Sequence, residues 1–146
     1  MDRQRVHIGA DANFRAVTTA DVREQLHEEL RRAFEVARVL GGDYTLKITR
    51  GYPPLVNAES VSTLIERVAV EAIGAADVQP FERQMGAEDF AYMTQLAPGA
   101  MFQLGAKLDD VHRPHHSPYF DIDENALPIG AAVLAETAVR LLREKA

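Results

Sequence analysis

The sequence predicts an α/β fold, in which short strands alternate with amphipathic helices. Three observations carry this. Residues 5–17 alternate with period 2, Val6, Ile8, Ala10, Ala12 and Phe14 opposing His7, Asp11, Asn13 and Arg15, the pattern of a half-buried strand. Three later stretches place apolar residues every three to four positions, the spacing of one helix face. Short apolar or alternating runs lie between and beside them, at 43–50, 77–81 and 100–104.

The elements follow in chain order. Thr18-Thr19-Ala20-Asp21 supplies a hydroxyl cap and an early acid, so the first helix starts there. Val22, Leu26, Leu30, Ala33, Ala37 and Leu40 form its apolar face, and Gly41-Gly42 ends it. In 43–50, Tyr44, Leu46 and Ile48 oppose Thr45, Lys47 and Thr49, which predicts a second strand. Gly51-Tyr52-Pro53-Pro54 then interrupts any regular ladder, and a boundary is placed between residues 52 and 53. Asn57 is the predicted cap of a second helix, with Val61, Leu64, Ile65, Val68, Ala72 and Ile73 as its stripe and Gly74 as its stop.

Residues 77–81 predict a short strand. Gly86-Ala87-Glu88-Asp89-Phe90 opens a short helix that ends near Pro98-Gly99. Ala100 to Leu104 is mostly apolar, as in a strand buried on both faces. From Gly105 to Pro118 the chain predicts a loop rich in His and Pro, and loops this long are usually functional or disordered. The last helix begins near Asn125, with Pro128 in its first turn. Leu127, Ile129, Val133, Leu134, Ala138, Leu141 and Leu142 make it apolar round much of its circumference, which predicts deep burial against the 100–104 strand.

Composition bounds the function. With 146 residues, 47% hydrophobic and 26% charged, the chain is globular in class and long enough for one domain or two small halves. There is no cysteine, which excludes disulfides, thiolate metal sites and a cysteine nucleophile. The formal charge of -6 with scattered Lys and Arg predicts no nucleic-acid partner. No apolar run approaches the ~20 residues of a membrane span, and no secretory signal is visible, so no membrane partner and a cytoplasmic location are expected.

Few residues offer chemistry. His112, His115 and His116 share the long loop; imidazole is the commonest zinc ligand, but paired histidines are not a specific metal motif, and spacing alone favours reading them as surface loop histidines. Asp121, Asp123 and Glu124 are placed to accept from an imidazole N–H. Glu88 and Asp89 either cap a short helix or mark an anion site at its start. His7 and His27 are expected at the surface. No nucleophile elbow, phosphate loop or dinucleotide fingerprint occurs.

Three segments then carry a resemblance: Gly86-Ala87-Glu88-Asp89-Phe90-Ala91-Tyr92, Pro98 through Gly105, and His116-Ser117-Pro118-Tyr119-Phe120-Asp121 running on to Gly130. With Arg50 to Asn57 and the Arg15 to Arg23 region, they resemble in order the C-terminal end of the aminoacylase and carboxypeptidase metallohydrolase superfamily. The nearest branch is the amidohydrolases of the hippurate hydrolase and indole-acetyl-amino-acid hydrolase type. The resemblance implies that residues 1–52 are the second half of a small α+β lid, or dimerisation, domain. It implies that residues 53–146 are the C-terminal part of an α/β catalytic domain.

The resemblance further implies hydrolysis of the amide bond of N-acyl amino acids or small peptides by a metal-activated water, with two divalent ions, zinc or manganese, per complete site. His116 matches the last metal ligand. Gly86 and Glu88 match a segment lining the site, and Arg15 a recurrent lid arginine; these three are the candidate substrate contacts. The other ligands and the catalytic glutamate would lie in an upstream region outside this chain. The chain is therefore expected to be inactive alone, and to act as a homodimer or beside a missing N-terminal half. The alternative is a non-enzymatic dimerising or ligand-binding remnant of the same family.

Overall fold

A computed structural model of the chain describes residues 6–8, 20–48, 51–82 and 88–144. Strand β1 (Val6–Ile8) falls within the predicted 5–17 strand. It is followed by helices α1 (Ala20–Val39) and α2 (Glu59–Ile73), strand β2 (Val78–Pro80), the single-turn helix α3 (Phe90–Thr94), strand β3 (Phe102–Leu104) and helix α4 (Leu127–Glu144). The fold is thus mixed helix and strand.

The sheet has the order β2-β1-β3. β1 runs parallel to β2, Val6 opposite Val78, and antiparallel to β3, Ile8 opposite Phe102. Pro80 sits on the outer strand β2, where its missing N–H costs no ladder bond on the solvent side. β1 comes from the first predicted unit and its partners from the second, so the sheet bridges the 52/53 boundary.

The core lies where α2 and α4 pack together over this sheet. Val61, Leu64, Ile65, Val68 and Ala69 of α2 are buried with Val133 of α4, and Val78, Phe102 and Leu104 pack against them. The α2 stripe follows the predicted periodicity at Val61, Leu64, Ile65 and Val68, but Ala69 and Ser62 are buried in it and Ala72 is exposed. Gly130 lets α4 approach β3: a Cβ there would stand 2.9 Å from Leu104 Cδ2. Across the outer edge of the helix pair, Arg140 on α4 bonds Glu71 on α2 twice, at 3.0 and 2.5 Å, and Glu136 at 2.8 Å. The guanidinium holds the Glu71 carboxyl below its usual range.

Four expectations change. Asn57 does not cap α2; Ala58 occupies that position without a side-chain bond. The Asn57 amide instead donates to the Met101 carbonyl at 2.8 Å and accepts from the Met101 N–H at 2.9 Å. Ala58 N–H adds a bond to Gly99 O, so the approach to α2 is pinned to the approach to β3. An amide that can both donate and accept replaces a missing backbone partner.

Residues 43–48 keep alternating exposure but form no strand, because no neighbouring ladder is present among the described residues and an unpaired strand leaves its backbone groups unbonded. Tyr44 folds back on α1 instead: its hydroxyl donates to Glu35 at 2.6 Å, and its ring lies beneath the Arg38 guanidinium. β3 is half-buried, with Gln103 exposed, because among the described residues the helices cover only the face that carries Phe102 and Leu104. Finally, α4 buries only Gly130, Val133 and Thr137, while Leu127, Leu134 and Leu142 face outward. Glu124–Glu144 is long and apolar enough by composition to cross a bilayer. That alone shows no crossing, since the helix packs on α2 through Val133 and carries the ion-paired Arg140.

Candidate functional site

The segment between β3 and α4 is closed at its neck by the Asp123 N–H, which donates to Ala106 O at 3.0 Å. Its first half is organised by Asp109. That carboxylate accepts the Val111 N–H at 2.8 Å, a local turn. It also receives both terminal nitrogens of Arg113, one of them at 2.9 Å. The Arg113 guanidinium, helped by the Val111 N–H, holds the Asp109 carboxyl at about 2. Lys107 pairs with Asp110 at 2.8 Å.

The second half turns on His116. Its φ is +62°, a left-handed conformation that costs a side-chain-bearing residue about 1–2 kcal/mol. Two local devices hold the chain around it. Ser117 accepts the Tyr119 N–H through Oγ at 3.2 Å and the Phe120 N–H through its carbonyl at 3.0 Å. On the other side the His115 ring packs on Phe120, centroids 5.0 Å apart. The turn separates two consecutive imidazoles. His115 lines a cleft of about 590 Å³ between the loop, β3 and the start of α4, whereas His116 is absent from that lining and exposed.

Leu104, Leu108, Val111, Phe120, Ile122 and Leu127 supply the apolar surface of the cleft, with His112, Arg113 and Asp121 also on it. Glu88 is half-buried, and its carboxylate accepts the Phe90 N–H at 3.2 Å. The bond lies at the start of α3, where Asp89 holds the cap position without a side-chain cap bond. Gly86 and Arg15 lie outside the described residues. His27, expected at the surface, is only 14% exposed, and its Nδ1 lies 3.8 Å from Glu24, too far for a hydrogen bond.

Among the described residues, no three His, Asp or Glu side chains converge as a metal-binding set. Holding a catalytic ion takes at least three protein ligands, so the described residues do not fit a complete resident metal site. Asp109 and Arg113 organise the loop and are not among the site residues the sequence predicts; the Asp109/Val111 and Asp109/Arg113 spacings are their local signal, while Phe120 lies in the segment that carries the resemblance.

The chain matches peptidase family M20/M25/M40 over residues 3–140. It is 36% identical over 96 residues to IAA-amino acid hydrolase ILR1-like 6 of Arabidopsis thaliana, which spans 64% of this chain and 21% of that protein. It is 34% identical over 128 residues to N-acetyl-L-cysteine deacetylase of Bacillus subtilis, 84% of this chain and 29% of that one. A crystal structure of a "putative aminohydrolase" from methicillin-resistant Staphylococcus aureus superposes with a TM-score of 0.68 at 25% identity, covering 94% of this chain and 39% of that one. The chain spans from 21% to 35% of the length of the first curated relatives it matches. A match running through nearly all of the elements described above places this chain in peptidase family M20/M25/M40.

Proposed function

We propose that the chain is the C-terminal part of a metal-dependent amidohydrolase acting on N-acyl amino acids or small peptides, and that it contributes His116 to the metal site of the whole enzyme. The observation that carries this is the left-handed, solvent-facing His116 at the edge of the cleft. Strained backbone is kept where surrounding structure fixes it, and it clusters at functional sites. The relatives' names, hydrolase and deacetylase, support the reaction class. The ion would be zinc or manganese. Gly86, Glu88 and Arg15 would contact substrate, Glu88 in addition to its bond to Phe90.

Residues 1–52 would be a lid and 53–146 the catalytic part. The exposed apolar face of α1 supports that division; the pairing of β1 with β2 and β3 weighs against it. With no converging ligand set among the described residues, residues 1–146 would not turn over substrate alone. The test is an assay of residues 1–146 with zinc or manganese on a panel of N-acyl amino acids. The expected result is no hydrolysis above a His116→Ala control. Metal-dependent turnover that His116→Ala abolishes would refute inactivity.

The second reading, a non-enzymatic dimerising remnant, is favoured by the outward apolar residues Leu26, Leu30, Phe34, Leu134 and Leu142. It requires a discrete homodimer in size-exclusion chromatography and would be set aside by a monomer.

A further inference from the structure

We propose that strand β1 is an exchangeable element, and that two copies of this chain form a swapped dimer in which β1 of each copy sits between β2 and β3 of the other. The sheet order is β2-β1-β3, so among the described residues β2 and β3 are joined through β1. Val6, His7 and Ile8 stand opposite Val78, Gln79 and Pro80 on one side, and opposite Leu104, Gln103 and Phe102 on the other. Without a strand in that slot, the backbone groups of β2 and β3 that face it would be left unbonded. The slot recognises backbone and register, and β1 of a second copy makes the same bonds as the chain's own.

The first unit can move as a body. Ion pairs within α1 hold it together, Arg32 with Glu28 and Glu29 and Arg38 with Glu35, and Tyr44 bonds back to Glu35. At the 52/53 boundary Pro53 and Pro54 favour extended backbone. Rotation there would take the Tyr52 ring from Tyr92. It would leave the Asn57–Met101 bonds intact, because both residues lie beyond the boundary. A closed single chain keeps the advantage of a tethered strand, which acts at a high effective concentration. It also leaves Leu26, Leu30 and Phe34 of α1 and Leu134 and Leu142 of α4 exposed. Exchange preserves the β1 ladder and brings a second set of these residues within reach, so their burial favours the dimer. The exchange is independent of the amidohydrolase reading and stands or falls apart from it.

The chain has no cysteine, so an introduced disulfide can report the pairing. His7 and Gln103 are opposed in the antiparallel register, and Cα atoms so placed lie within disulfide range. The test is mild oxidation of the full chain carrying both His7→Cys and Gln103→Cys, read on a non-reducing gel. The expected product is a covalent dimer at twice the mass of the chain. An internally linked monomer would overturn the exchange and leave β1 with its own chain, and no linkage at all would show that β1 does not hold the slot. Mixing His7→Cys chains with Gln103→Cys chains should also give covalent dimer, and neither single variant alone should. Linkage in the single variants as strong as in the mixture would mean chance collision and would count against the exchange. If the double variant loses its helical circular dichroism, His7→Cys with Gln79→Cys probes the parallel neighbour and has the same two outcomes. A homodimer that yields internal linkage alone would sink the exchange while leaving the dimerising-remnant reading in place.

Discussion

Helices α1 and α2 carry the same kind of apolar stripe, yet only α2 buries it. Leu64 and Ile65 are 4% and 3% exposed, whereas Leu26 and Leu30 of α1 are each 45% exposed. α2 lies against α4 and the sheet. Arg23 of α1 donates through its guanidinium to Tyr52 O, just before the 52/53 boundary, and the rest of the helix's order is local. Arg32 pairs with Glu28 and Glu29, and Arg38 with Glu35 and Asp43. Its end is a Schellman turn: Gly42 N–H reaches Ala37 O, Gly41 N–H reaches Arg38 O, and Gly41 has φ +83°. Periodicity thus specifies a helix and its apolar side, while burial depends on a partner that the pattern itself does not name.

The largest effect that sharpens this contrast is a pair of truncations. Leu64→Ala should destabilise the chain by about 2–5 kcal/mol in urea unfolding, and Leu30→Ala by no more than about 0.5 kcal/mol. Equal costs would mean that α1 is buried in solution. Next, Gly130→Val should cost about 1–3 kcal/mol, because the added carbons meet Leu104; a neutral result would break the close α4–β3 contact. Ser62 is fully buried, and its hydroxyl has no partner among the described residues, so Ser62→Ala should be neutral or stabilising by up to about 1 kcal/mol. A clear loss would reveal a bonded hydroxyl at that helix interface.

The smallest effect is in the loop. The Asp109 carboxyl titrates at about 2, below its ordinary value of 3.8. Its contribution is therefore full above the ordinary value and is lost as pH falls through about 2. Arg113 side-chain signals in NMR should change only in that acid window, and Asp109→Asn should remove the change. A transition near neutral pH would rule out this clamp as the loop's organiser.

These outcomes also mark what the residues disclose in order. The α2 stripe, the Gly41-Gly42 stop and the short strands near 77–81 and 100–104 were readable, because each depends on local spacing. The role of Asn57 was not, since its partner Met101 is distant in sequence. Nor was the unpaired state of 43–48, because alternation reports exposure and a ladder needs a neighbour. In the loop, His116 was singled out by the resemblance rather than by spacing. The cleft beside it depends on Leu104 and Leu127 being brought under the loop by β3 and α4.

The central proposal is that this chain would supply one metal ligand, His116, without a complete site among the described residues. Zinc titration by calorimetry of residues 1–146 beside His116→Ala tests it most directly. The account predicts no stoichiometric, saturable zinc binding by either protein. Stoichiometric binding by the native sequence that disappears in His116→Ala would contradict it and place a full ligand set within these 146 residues.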